Sequence, residues 1–358
     1  MSAFGTSSTS GTSSTTSASG ISGTSGTPGT SSGASRRRAL IASGAAVVLA
    51  AGVAVAVLPG SASGDTGERA AASGGGRSGG TVLAASMNGA NEVPVQGGPA
   101  VGDKDGRALE FVRVKGDKVS VTVTWRGTGR PTALHLHEGA KGANGAVKVD
   151  FTKLLDKSGK RGKGGKGNTV TGTVRVDDAG VLARLTADPH SFYANLHTTE
   201  FPGGAVRGQL NKLSADVDFR NASANFQASV VEGKQIYECK KADDGSGKPA
   251  FAQRDVRARL QGNIAHRFTA PGSGTPQWVA PDGSGVTGRV ISKTPNGDGN
   301  IPELDLAATR IGGRGGLLGT TVEILRLNTV GGVQPTRACT PGEIVGVPYQ
   351  ADYVFVRA

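Results

Sequence analysis

Short runs of alternating or β-branched apolar residues recur through most of this chain, and turn-forming residues separate them. Between residues 81 and 213 they are Ala108 to Val114, Lys118 to Trp125, Ala133 to His137, Val147 to Phe151, Thr169 to Val176, Phe192 to His197 and Val206 to Leu210. Gly, Asp and Pro punctuate these runs and no convincing helical period lies between them, so the pattern predicts an antiparallel β-sandwich or Greek-key barrel. A second set follows over 214–358: Asn225 to Val231, Gln235 to Cys239, His266 to Thr269, Gln277 to Ala280, Gly288 to Ile291, Thr321 to Asn328 and Tyr349 to Val356. Ile301 to Thr309 fits either a strand or a short helix. The expected fold class is mainly β, with two β-rich domains and no internal repeat between them.

The first 80 residues carry no such pattern. Residues 1–35 are almost entirely Ser, Thr, Gly and Ala, with too little apolar surface to offset the entropy of ordering, and are expected to be disordered. Arg36-Arg37-Arg38 then precedes an uncharged apolar run, Ala39 to Leu58, with small residues Ser61-Ala62-Ser63 just beyond it. A basic flank before such a run reads as a signal peptide or membrane anchor over residues 36–63. Ser35 to Leu40 also resembles a twin-arginine signal, although the aromatic that usually follows the arginines is missing. Residues 64–80 return to Gly, Ser and Ala, which suits a flexible linker. The implied location is extracytoplasmic, either secreted or in the cell envelope, with the membrane met only through the N-terminal apolar segment.

Composition changes this picture in two ways. The formal net charge is +12, and much of the excess sits between Lys153 and Gly167, where six basic residues stand against Asp156. Such a Gly/Lys stretch reads as a solvated loop, with an anionic polymer as the partner it would suit. No aromatic residue interleaves these lysines to stack on bases, so nucleic acid is not an expected partner. The chain also has only two cysteines, Cys239 and Cys339, and in an oxidising compartment a single pair is expected to form a disulfide.

Three stretches of the first domain, MNGANEVP at Met87 to Pro94, LHLHEGAKGANGAV at Leu134 to Val147 and FYANLHTTEFPGGAVRGQL at Phe192 to Leu210, resemble the chordin-type (CHRD) domain. The resemblance covers 81–213 and implies an all-β module with no settled general activity. The second domain resembles a bacterial and fungal secreted family of unknown function. It does so through GKQIYEC at Gly233 to Cys239, PQWVAPDGSGVTG at Pro276 to Gly288, IPELDL at Ile301 to Leu306, EILRLNTVGGVQPTRAC at Glu323 to Cys339 and VPYQADYVF at Val347 to Phe355. Both cysteines fall inside these stretches, which adds to the expectation of a bridge.

Candidate chemistry gathers on the histidines. Alternate residues of a strand share a face, so His135 and His137 point one way while Leu134 and Leu136 point to the core; His197 shares a face with Asn195 and Tyr193. If the two strands are neighbours, three imidazoles converge, a donor set suited to copper or zinc. The alternative is that these rings hydrogen-bond loop backbone and bind nothing. Glu92, Glu138 and Arg207 lie in the same motifs, with pairing at sheet ends as their expected role. Gly283 to Gly288 has the G-x-G-x-x-G spacing, but a strand and a proline follow where a dinucleotide site needs a helix, so Pro281-Asp282-Gly283 is read as a hairpin turn. Asn296 to Asn300 lacks most of a calcium loop and is also read as a turn. The sequence therefore favours a non-enzymatic binding or structural protein over a secreted metal-dependent redox protein built on His135, His137 and His197.

Overall fold

The computed structural model describes residues 79–157, 168–242 and 247–357. The apolar run Ala39 to Leu58, the segments at 1–35 and 64–78, and residues 158–167 of the basic stretch lie outside the described residues. Among the described residues, no helix is long and apolar enough to cross a membrane.

The first domain runs β1 (Thr81–Asn88), β2 (Arg107–Lys115), β3 (Lys118–Arg126), β4 (Pro131–Glu138), β5 (Ala146–Asp150), α1 (Thr152–Lys157), β6 (Asn168–Arg175), α2 (Ala179–Ala187), β7 (Phe192–Thr198), β8 (Val206–Gln209) and β9 (Asn211–Lys212). All nine strands join one antiparallel sheet in the order β5-β4-β7-β8-β1-β2-β3-β6, with β9 against β1. The sheet curls around a single core to which Leu83, Val112, Val121, Leu134, Leu136 and Leu196 contribute. Among the described residues its two edge strands, β5 and β6, do not pair. Leu154 and Leu155 of α1 pack into the core beside that gap, and Gly172 of β6 makes the room, because a Cβ there would lie 2.6 Å from Leu154 Cδ2.

The reading without helices needs correction at α2. Asp178 caps it through Val181 N at 2.9 Å, and Val181 and Leu185, one turn apart, bury its inner face. Nine residues are too few for the period to stand out in a sequence otherwise read as strands.

The second domain is a closed eight-stranded barrel of β10 (Phe226–Lys241), β11 (Pro249–Leu260), β12 (Ile264–Phe268), β13 (Pro276–Val279), β14 (Gly285–Thr294), β15 (Glu303–Ile311), β16 (Thr321–Gly331) and β17 (Ile344–Arg357), each paired with the next and β17 with β10. Ile301 to Thr309 contributes to a strand, because Leu306 points to the barrel core while Asp305 and Ala307 pair with neighbouring strands. The two runs read at Asn225 to Val231 and Gln235 to Cys239 form one long strand, whose pairing register shifts between Val230 and Glu232 and thereby breaks the alternation. Pro281-Asp282-Gly283 is the β13–β14 turn, with Gly283 N donating to Ala280 O at 3.0 Å. Asn296 and Asn300 direct their side-chain bonds to Thr329, Gly331 and each other's loop.

Both domains lie within one compact unit, Ala71–Ala358. Outward residues of β1 and β2 (Val82, Ala84, Leu109, Phe111) share a buried apolar cluster with outward residues of β16 and β17 (Leu325, Leu327, Val354, Val356). Around this seam Asp352 accepts from Asn88 and Asn328 at 3.1 and 2.8 Å, and Glu323 accepts from the backbone N–H groups of Ser214 and Ala215.

Candidate metal centre

β4 and β7 are antiparallel neighbours whose register sets Ala133 against His197, His135 against Asn195 and His137 against Tyr193. Leu134, Leu136 and Leu196 are fully buried on the core side, which leaves the histidines together on the other face. One ring nitrogen from each of His135, His137 and His197 lies within 4.8 Å of the other two.

The partners of each ring decide which nitrogen is free. His137 Nδ1 is 3.0 Å from Gly145 O and His197 Nδ1 is 3.0 Å from Pro202 O. A carbonyl only accepts, so both Nδ1 atoms carry the proton and both Nε2 atoms carry the lone pair. His137 Nε2 is buried and has no hydrogen-bond partner among the described residues. His135 is the ring whose proton has two places. Its Nδ1 stands 3.3 Å from His197 Nε2, and its Nε2 stands 3.3 Å from Thr152 Oγ1 and 3.5 Å from Asp150 Oδ1. With the proton on Nε2, toward the Thr152 hydroxyl, each of the three rings keeps one lone-pair nitrogen, and these rings lie close together.

That arrangement fits a transition-metal ion. Two imidazole nitrogens each ~2.0–2.1 Å from a tetrahedral ion stand about 3.3 Å apart, the separation that His135 and His197 already have. His137 offers a ring nitrogen within 4.8 Å of both. A ligating histidine whose second nitrogen donates to a carbonyl or carboxylate is also the arrangement that orients metal ligands and fixes their tautomer. Burial holds all three rings below the ordinary histidine range, with His135 pushed to about 4 by burial and then by His197 beside it, so the rings are neutral at pH 7.

Further residues hold this geometry. The Tyr193 ring stacks on His137, with centroids 4.7 Å apart and planes 7° from parallel, and the Arg207 guanidinium lies 3.4 Å from the Tyr193 centroid. Arg207 is buried and donates to Ala140 O, Ala143 O and Asn144 Oδ1, which ties the loop carrying Gly145 onto the sheet. Gly145 fits because a Cβ there would lie 1.7 Å from Glu138 O. Asn195, directly across from His135, donates to Glu92 Oε2 at 3.2 Å, and burial raises the Glu92 carboxyl to about 7.

The other motif residues divide. Glu138 pairs with Arg184 and Lys148 at a strand end, as the sequence reading expects. Arg207 is a buried positioning residue instead, because its donors are used on loop carbonyls that the sequence does not single out. His190 lies apart, 3.3 Å from Thr294 Oγ1 of the barrel, and His266 lies inside the barrel. Cys239 and Cys339 form a disulfide that joins β10 to the segment before β17, with Cys239 buried beside Tyr237 and Phe251.

Residues 83–210 match the family model described as the CHRD domain, and residues 256–357 match the one described as a protein of unknown function (DUF3455). No curated protein and no solved structure matches the chain.

Proposed function

We propose that this chain, a CHRD domain followed by a DUF3455 domain, is an exported binding protein whose first domain holds one zinc or copper ion on His135, His137 and His197. The observation that carries this reading is the set of second nitrogens. Carbonyls at Gly145 and Pro202 and the hydroxyl of Thr152 can take the proton side of the three rings, which supports leaving one lone pair of each for an ion. A buried lone pair without a donor, as at His137 Nε2, costs free energy unless something fills that role, and a metal ion does so. Three neutral imidazoles favour such an ion over calcium or magnesium and leave a fourth position for water or for a donor atom of a bound molecule. Export is supported by the basic flank at Arg36 to Arg38 before the apolar run, and the disulfide fits an oxidising compartment.

The test uses the full chain purified without a histidine tag, metal analysis by mass spectrometry, and calorimetric titration with zinc and copper(II). One ion per chain is expected. His137→Ala should weaken binding by at least the ~10–100-fold typical of losing even an outer-shell partner, while His190→Ala should leave it unchanged. Absence of binding, or equal binding by both variants, would overturn the proposal.

A further inference from the structure

The bore of the barrel contains unmet donors of its own. An eight-stranded barrel is just wide enough to fill with side chains or to hold one small ligand. Here a cavity of about 390 Å³ remains, within the range of small-molecule sites. On one wall His266 and Trp278, direct cross-strand partners, stack with centroids 4.4 Å apart, and Tyr353 meets both rings edge-on at 5.1 and 5.5 Å. Next to Tyr353 in the β16–β17 register is Arg326, on the same inward face of β16 as Ile324, while Leu325 and Leu327 point out to the interdomain seam.

Arg326 gives two of its donors to Pro302 O, at 3.2 and 2.8 Å. Among the described residues no carboxylate lies within ion-pair distance of it, and no Asp or Glu lines the cavity. The other charged lining residue, Lys293, is also cationic. His266 adds no charge at neutral pH, since burial drives its pKa to about 3 and its Nδ1 donates to Gln277 O. Two further lining side chains have donors without acceptors: Trp278 Nε1 and Gln235 Nε2 are both buried and unpartnered among the described residues. Gln235 is fixed by its oxygen, which accepts from Gln253 Nε2 at 2.6 Å. Aromatic walls, a guanidinium without a counter-ion and two unpaired N–H donors form a site lacking its acceptor.

We propose that the barrel bore binds a small organic anion that lays a ring-sized apolar body against His266, Trp278 and Tyr353 and directs its charged oxygens to Arg326. The site is separate from the histidine cluster of the first domain and does not depend on a metal there.

Two fluorescent probes with the same aromatic body test it on the full chain: 1-anilinonaphthalene-8-sulfonate, an anion, and uncharged N-phenyl-1-naphthylamine. The anionic probe should saturate at one per chain, be displaced by 1-naphthoate, and bind about tenfold to a hundredfold more tightly than the neutral one, as expected for a charge-assisted hydrogen bond. Arg326→Gln should erase that preference while near-ultraviolet circular dichroism keeps its native form. Equal binding of the two probes by the unaltered chain, binding without saturation, or a preference surviving in a folded Arg326→Gln chain would overturn the proposal. The comparison on the unaltered chain decides even if the variant does not fold.

Discussion

Glu110 offers a quantitative test of how the first domain is built. It lies on β2 between Leu109 and Phe111, which face the interdomain seam, and so shares the core-facing side with Ala108 and Val112. Its side chain is wholly buried, neither oxygen has a partner among the described residues, and burial raises its pKa from 4.5 to about 8. The folded state therefore holds a proton that the unfolded chain releases. Stability is full below about pH 4.5 and falls as pH rises through the window to about 8, by ~1.4 kcal/mol per unit. Glu110→Gln fixes the neutral form at nearly constant shape. Its advantage over the parent chain should grow from ~1 kcal/mol at pH 5 to ~4 kcal/mol at pH 8. Other groups with raised pKa, Glu92 and Glu323, titrate in both proteins and drop out of the difference. Denaturant unfolding at pH 5, 6, 7 and 8, read by circular dichroism, measures it. A difference that stays constant across that range would refute the reasoning, because it would mean that Glu110 ionises without penalty in the native core.

Three further outcomes are expected. Replacing both Cys239 and Cys339 by Ser opens a loop with a sequence separation of 100 and should cost the barrel up to ~4–5 kcal/mol, while intact mass of the unreduced parent should show no free thiol. Metal affinity should begin to fall at a lower pH than it would with exposed histidines, since burial holds the ligand rings below the ordinary histidine range, with His135 at about 4; a loss centred on pH 6.5, as exposed histidines would give, would count against the site. A reporter active only outside the cytoplasm, fused behind the full chain, should be active, and deleting Arg36 to Leu58 should abolish that activity; continued export of the deletion would argue against the N-terminal segment as the signal.

Alternation made most strands legible, and the exceptions have physical causes. β1 is buried along nearly its whole length because one face meets the core and the other the seam, so its sequence TVLAASMN shows no period of two. In β10 a register shift splits one strand into two apparent ones. His135, His137 and His197 were readable as a set because strand geometry alone puts His-x-His on one side. What aims them was not: Gly145 O and Pro202 O are main-chain acceptors that leave no residue signature, and the Arg207–Tyr193–His137 stack depends on a β7–β8 pairing that spacing does not reveal. Glu110 carried no signal in the sequence, and its burial follows from sharing the core side of β2 with Ala108 and Val112.

The hydrogen bonding of β10 to β17 has a consequence for how the chain is made. The first strand of the barrel, beginning at Phe226, pairs with a strand that ends at Arg357, so until β17 is made both β10 and β16 lack the neighbour that closes the barrel. Such long-range closure is slow, and exposed edges invite pairing with other chains in the meantime. Truncation by even the last strand leaves both edges permanently open. Barrel closure is therefore a late step, coming only after the last residues of β17 have left the ribosome.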